Sequence, residues 1–128
     1  TDQNQQNKVD RLLASGENPN QETKDGVTPL HIASGRGYDK IAKSLIQNKA
    51  DVNATVKKTF KYKGEDVPKG ATPLMGAIAN YHFDIANMLI SNGANVNLLT
   101  ENGSSALMIA ADKKNPEMVK TLIKKEYI

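Results

Sequence analysis

Two different markers recur along this chain with the same spacing and the same single interruption, and no other feature constrains its fold as tightly. The first marker is a turn followed by a helix start. It reads Asp25-Gly26-Val27-Thr28-Pro29-Leu30-His31-Ile32-Ala33, then Lys69-Gly70-Ala71-Thr72-Pro73-Leu74-Met75-Gly76-Ala77, and more weakly Asn102-Gly103-Ser104-Ser105-Ala106-Leu107-Met108-Ile109-Ala110. Thr72 and Ser105 lie 33 positions apart, whereas Thr28 and Thr72 lie 44 apart, eleven more than the period. The second marker occurs as Gly16-Glu17-Asn18-Pro19-Asn20, Lys49-Ala50-Asp51-Val52-Asn53 and Gly93-Ala94-Asn95-Val96-Asn97, again at offsets of 33 and 44. The agreement predicts one repeating unit with one insertion.

The unit has a readable chemistry. Thr28 and Thr72 can accept from the free N–H groups of a helix start, and Pro29 and Pro73 suit a first turn that needs no N–H. Gly26, Gly70 and Gly103 supply the turn before it. A short helix is expected over 29–34, 73–80 and 106–112. Breaks follow at Gly35-Arg36-Gly37, Asn80-Tyr81 and Lys114-Asn115-Pro116, and then a second helix. Its apolar stripe is Ile41, Ala42, Leu45 and Ile46, then Ile85, Ala86, Leu89 and Ile90, then Met118, Val119, Leu122 and Ile123. Such spacing marks one face of an amphipathic helix.

This pattern closely resembles the ankyrin-repeat family. The Thr-Pro-Leu-His-x-Ala motif stands intact as Thr28-Pro29-Leu30-His31-Ile32-Ala33, at that family's period. The resemblance covers the chain from about Asn7 to Ile123. It implies an all-α solenoid of stacked helix-turn-helix units with hairpin-like fingers and a concave face that meets partners. It also implies that the His31 imidazole hydrogen-bonds between neighbouring turns, so Thr28, Pro29, His31, Thr72 and Pro73 are read as structural.

The expected organisation is a single domain: a partial N-terminal repeat over 1–24, a repeat over 25–58, an inserted finger over 55–68, a repeat over 69–101 and a C-terminal capping repeat over 102–128. The chain opens within a unit, since Val9, Leu12 and Leu13 match a second helix with no first helix before it; we read this as missing upstream sequence. Lys113, Lys114, Lys120, Lys124, Lys125 and Glu126 give the last unit the charge a terminal repeat needs. Ser105 and Ala106 replace Thr-Pro there, which predicts the least tightly initiated helix.

The eleven extra residues fall between Ala54 and Lys69. Val56, Thr59, Phe60 and Tyr62 favour extended structure, and Gly64 to Pro68 supplies turn chemistry, so a β-hairpin-like protrusion is expected. Lys57, Lys58, Lys61, Lys63 and Lys69 against Glu65 and Asp66 give +3, equal to the formal net charge of the whole chain. The finger reads equally as a basic, aromatic contact arm for an acidic partner and as a solvated loop tolerated at small entropic cost. Lysines interleaved with aromatics also suit nucleic acid; the patch is small and lacks arginine, so that reading ranks lower.

Nothing in the sequence assembles a catalytic site. There is no cysteine, which excludes disulfides, thiolate nucleophiles and cysteine-based zinc sites. The two histidines, His31 and His82, are far apart and lack metal-site spacing. No Gly-x-Ser-x-Gly occurs, Gly35-Arg36-Gly37 is too short to cradle phosphate, and the aspartates are dispersed by the repeat. No catalytic, cofactor-binding or metal-binding residue is therefore assigned, and no cofactor is expected. With 24% charged and 38% hydrophobic residues, the composition is that of a folded, soluble chain, and its apolar runs are far shorter than the ~18 residues of a membrane helix. No signal peptide is visible, a monomer is expected, and the compartment is left open with the cytoplasm as default.

In the resembling family, partners meet the finger tips and the exposed end of each first helix. Carried over here, these positions are Lys24, Val27, Gly35 and Arg36, then Ala71, Ala79, Asn80 and Tyr81, then Glu101, Ser104, Asp112 and Lys113. With the finger, the candidate contact residues are Arg36, Lys57, Lys58, Phe60, Lys61, Tyr62, Lys63, Asn80, Tyr81, Asp112 and Lys113. The leading expectation is a non-catalytic adaptor or scaffold that binds a protein with an acidic surface. The alternative is a small inhibitor or immunity-type protein masking an acidic enzyme or toxin surface; the lesser one is nucleic-acid binding through the lysine-rich finger.

Overall fold

The computed structural model describes residues 18–126, apart from the side chain of Glu126. The helix expected around Val9, Leu12 and Leu13 lies outside the described residues. The elements are α1 (Pro29–Arg36), α2 (Asp39–Gln47), β1 (Phe60–Tyr62), β2 (Glu65–Val67), α3 (Pro73–Ala79), α4 (Phe83–Ser91), α5 (Ala106–Asp112) and α6 (Pro116–Glu126). Inner helices α1, α3 and α5 stack in sequence, each packs on its own outer helix, and outer helices α2 and α4 touch. The architecture is an ankyrin solenoid carrying one small antiparallel hairpin.

Each inner helix starts on a hydroxyl. Thr28 Oγ1 accepts from the His31 N–H at 3.3 Å, Thr72 Oγ1 from Met75 at 3.2 Å and Ser105 Oγ from Met108 at 3.2 Å. The last cap is therefore as short as the others, and what α5 lacks is only the proline at its first position. The first helix also runs further than expected. Gly35 and Arg36 are helical, and the stop is Gly37, left-handed at φ 77° with its N–H bonded to the Ala33 carbonyl.

The outer-helix stripes supply the core. Ile41, Ala42 and Leu45 are buried, as are Ile85, Ala86, Leu89 and Ile90, then Met118 and Leu122. A fully buried leucine or isoleucine is worth about 1.5–3 kcal/mol of transfer free energy, so the stack is held chiefly by these side chains. In the last unit Val119 is half-buried, while Ile123 is exposed and Met108 is 57% exposed. That unit therefore presents apolar side chains to solvent as well as lysines.

Asparagines join consecutive units. Asn20 donates its amide to the Lys49 carbonyl at 3.1 Å and accepts from the Asp51 N–H at 2.6 Å. Asn53 repeats the clamp on Gly93 at 3.2 Å and Asn95 at 2.6 Å. The second sequence marker ends in asparagine because that side chain both donates and accepts across to the next loop.

Backbone closures locate the insertion. The Thr23 N–H donates to the Val27 carbonyl and Thr100 to Ser104, whereas Val56 donates to Ala71. Between units, Lys57 N–H donates to Asp25 and Glu101 N–H donates to Lys69. Lys57 thus occupies the donor place and Lys69 the acceptor place of an ordinary turn, and residues 58–68 are the eleven looped out between them. Val56, read from sequence as part of the finger's extended run, is instead 2% exposed at its root.

Ser34 is fully buried in α1, and among the described residues its hydroxyl has no hydrogen-bond partner. A buried unpaired hydroxyl costs about 1–3 kcal/mol, and alanine is the better helix former. Ser34→Ala is expected to raise the unfolding free energy by about 1 kcal/mol, read as a higher urea midpoint at unchanged m-value.

Candidate functional site

The hairpin of the insertion is a tight one. Phe60 pairs with Val67, Lys61 with Asp66 and Tyr62 with Glu65, leaving Lys63-Gly64 as a two-residue turn. Both turn residues are left-handed, at φ 53° and 83°, which matches a turn whose twist fits the strands. Period-two alternation puts Phe60, Tyr62, Glu65 and Val67 on one face and Lys61 and Asp66 on the other. On the first face Phe60, Tyr62 and Val67 are half-buried and Glu65 is exposed, while the second is exposed and joined by an ion pair of 2.8 Å.

The half-buried face closes one side of a groove of about 420 Å³. Val27, His31, Ile32, Gly35 and Gly76 form its opposite side along α1 and α3, with Val56 and Ala71 also lining it. Gly35 and Gly76 give the groove its depth. A Cβ built on Gly76 would lie 3.9 Å from the Gly35 backbone, ordinary van der Waals contact, so α1 and α3 approach closely here and the two bare backbones form the groove floor. A more open hollow of about 550 Å³ adjoins it, lined by Arg36, Tyr38, Tyr62, Lys63, Asn80 and His82.

His31 sits in the groove wall and ties two units together. Its Nε2 lies 3.1 Å from the Ala71 carbonyl, which can only accept, so Nε2 carries the hydrogen and donates. Nδ1 accepts from the Thr28 N–H at 3.1 Å, completing a reciprocal cap with the Thr28 hydroxyl. Burial pushes the imidazole below its ordinary value of 6.5, against the opposing pull of the Ala71 and Ala54 carbonyls and the Asp51 and Glu22 carboxylates.

A His with a depressed folded pKa binds its proton more readily in the unfolded chain, so stability rises with pH across that interval. The contribution is complete above about pH 6.5 and is lost as pH falls toward the folded value. Urea midpoints taken from pH 7.5 down to 5 are expected to fall for the parent. His31→Gln removes one titrating group, and with it up to about 1.4 kcal/mol of slope per pH unit.

The structure brings together only part of the sequence-derived contact set. Arg36, Phe60, Lys61, Tyr62 and Asn80 border the groove, and Lys63 borders the hollow. Lys57 turns away to pair with Glu22, and the Lys58 backbone is bound to Asp25. The Lys61–Asp66 pair lies within the finger's own +3 count, whereas Glu22 comes from outside it and offsets one of those charges at Lys57. Tyr81 and Lys113 form a separate cluster in which the ammonium lies 5.3 Å from the ring centre, with Phe83 edge-on to the ring at 6.3 Å. Asp112 is exposed at the end of α5.

Tyr81 is 62% exposed yet holds a left-handed backbone at φ 66°, in the place that Gly37 fills one unit earlier. Such a conformation costs a residue with a side chain about 1–2 kcal/mol. Sequence reading selected Tyr81 by position without detecting that strain. It placed Gly35 among the contact positions but missed the groove role of Gly76, whose only signal was glycine within an otherwise helical pattern. Among the described residues no group of acidic or histidine side chains could hold a metal ion, and no helix is long and apolar enough to cross a membrane.

A family model described as ankyrin repeats (3 copies) matches residues 2–98 and 53–128. The chain is similar to the B-cell lymphoma 3 protein homolog of Mus musculus, 31% identical over 78% of this chain and 20% of that protein. It is also similar to alpha-latrocrustotoxin-Lt1a of Latrodectus tredecimguttatus, 35% identical over 80% of this chain and 6% of the toxin. Ankyrin repeat and SOCS box protein 16 of Homo sapiens is 32% identical over 74% of this chain and 18% of its own length. The chain thus spans a fifth or less of the length of these relatives.

Proposed function

Because the chain belongs to the ankyrin-repeat family, whose repeats mediate protein–protein contacts, we propose that it is a non-catalytic binding module whose partner lies in the groove between the inserted hairpin and the inner helices. The observation that carries this reading is the seating of the hairpin. Its apolar face turns toward α1 and α3 but leaves about 420 Å³ unfilled between them. A loop that was merely tolerated has no need of a strict two-residue turn, a strand register and a polar outer face. Half-buried Phe60 and Tyr62 are aromatics of the kind that anchor interfaces, and strained Tyr81 offers a second contact further along the same stack. An adaptor or scaffold role follows, with an acidic protein segment as the preferred partner.

Photo-crosslinking tests the placement. A benzophenone side chain in place of Phe60, facing the groove, is expected to capture the partner, whereas one in place of Lys43, exposed on outer helix α2, is not. Capture from Lys43 with none from Phe60 would move the binding surface to the opposite side and defeat this reading.

A further inference from the structure

We propose that the groove and its neighbouring hollow form one two-part site for a short peptide segment, with a large apolar side chain in the groove and an anionic side chain beside it in the hollow. This rests on the protein-binding reading above and specifies the chemistry of the partner.

The two cavities share a boundary. Gly35, Arg36, Tyr62 and Asn80 line both, so a segment crossing from one to the other stays in contact with the protein throughout. Their linings differ in kind. The groove is walled by Val27, Ile32, Val56, Phe60 and Val67, an environment for an aliphatic or aromatic group. The hollow carries the Arg36 guanidinium and the Lys63 ammonium, and among the described residues no carboxylate lines it.

The donors of the hollow are held in place. The Lys63 ammonium lies 5.3 Å from the centre of the Tyr62 ring, which keeps it at the hollow's edge. The His82 ring packs over Gly37, where any Cβ would come within 2.5 Å of it. Asn80 donates to the Gly76 carbonyl at 2.9 Å, which leaves its amide oxygen and second N–H for a guest. Arg36 forms none of the ion pairs found among the described residues, unlike Lys57 and Lys61, so its planar fork is available to a carboxylate. Two cations that form no ion pair among the described residues, next to an apolar slot, select an apolar residue with an acidic neighbour. Phosphoserine would supply the same negative charge, and the test separates the two.

The test is an array of immobilised hexapeptides probed with the full chain carrying a fluorescent label. Each peptide places Leu, Phe or Trp one to three positions from Glu, phosphoserine or Gln. Binding is expected to require both groups, with Glu or phosphoserine preferred over Gln by about tenfold, and the stronger of these two identifies the anion. For the best peptide, measured by fluorescence polarisation, Arg36→Gln with Lys63→Gln is expected to erase the preference over Gln. Gly35→Leu is expected to abolish binding altogether, since its Cβ meets nothing closer than the Asn80 amide nitrogen at 3.9 Å and the added side chain fills the junction. Circular dichroism confirms that both variants remain helical.

Equal binding of Glu and Gln peptides, or an array without binders, overturns the two-part site. So does an oligothymidine probe that binds in place of the peptides. If the Phe60 benzophenone still captures a protein in these cases, the binding-module reading stands while the peptide chemistry falls.

Discussion

Leu89→Ala is expected to lower the unfolding free energy by about 2–5 kcal/mol, the range for emptying a leucine site that cannot collapse. Leu89 is completely buried in α4, whose helix packs on α3 and on α2 of the preceding unit. Domains of this size have about 5–15 kcal/mol in total, so the variant should lose a large share of it, read as a much lower urea midpoint. Leu122→Ala removes the same atoms from a site that is 1% exposed, in the terminal unit. Each repeat contacts only its neighbours, so that variant should open α6 locally before the rest, seen as selective loss of hydrogen-exchange protection. Leu99, 60% exposed, is the control, and its alanine variant should shift stability by no more than about 0.5 kcal/mol. Equal effects at Leu89 and Leu99 would contradict the stacked core.

Gly26→Val is expected to cost about 3 kcal/mol and to unseat the finger. Gly26 has φ 82°, and a Cβ there would stand 2.7 Å from the Lys57 backbone nitrogen. Relief requires Lys57 to move, which breaks its N–H bond of 2.8 Å to Asp25 and that of Lys58 at 3.2 Å. The left-handed backbone contributes about 1–2 kcal/mol of the loss and the hydrogen bonds about 0.5–1.5 kcal/mol each. Gly103→Val isolates the backbone contribution, because Gly103 has φ 81° with nothing within 4 Å of its Cβ position. The difference between the two urea midpoints measures how firmly the finger's root is held, and no difference would mean that the root is not seated on this turn.

The repeat architecture was legible because it is written three times. The hydroxyl caps, the apolar stripes and the turn glycines each recur at the offsets of 33 and 44, and the structure uses them for helix starts, core and turns. The limit of the first helix was harder to read. Gly35 resembles a stop in sequence, but Gly37 takes the left-handed position and Gly35 remains helical. Nothing local separates two glycines two residues apart when either could end a helix.

The site was legible by location only. Arg36, Phe60, Tyr62 and Asn80 could be selected from the insertion and the repeat positions. The groove itself depends on which hairpin face turns inward and on absent side chains at Gly35 and Gly76, and both are tertiary facts. The finger's count of +3 overstated its charge by one, because Lys57 pairs with Glu22 of the preceding unit, a carboxylate 35 positions away that the count did not include. The strain at Tyr81 was hidden for a related reason, since its equivalence to Gly37 emerges only once the helices are aligned in space.

Excision of residues 58–68 distinguishes a hairpin that serves binding, as proposed, from one that the fold requires. Joining Lys57 to Lys69 leaves Val56 and Ala71 four positions apart, the spacing of the ordinary closures from Thr23 to Val27 and from Thr100 to Ser104. Partner capture by the intact and excised chains is then compared, alongside their urea midpoints. The prediction is a folded protein within about 1 kcal/mol of the parent that no longer retains the parent's specific partners. An excised chain that keeps every partner at parental affinity would contradict it.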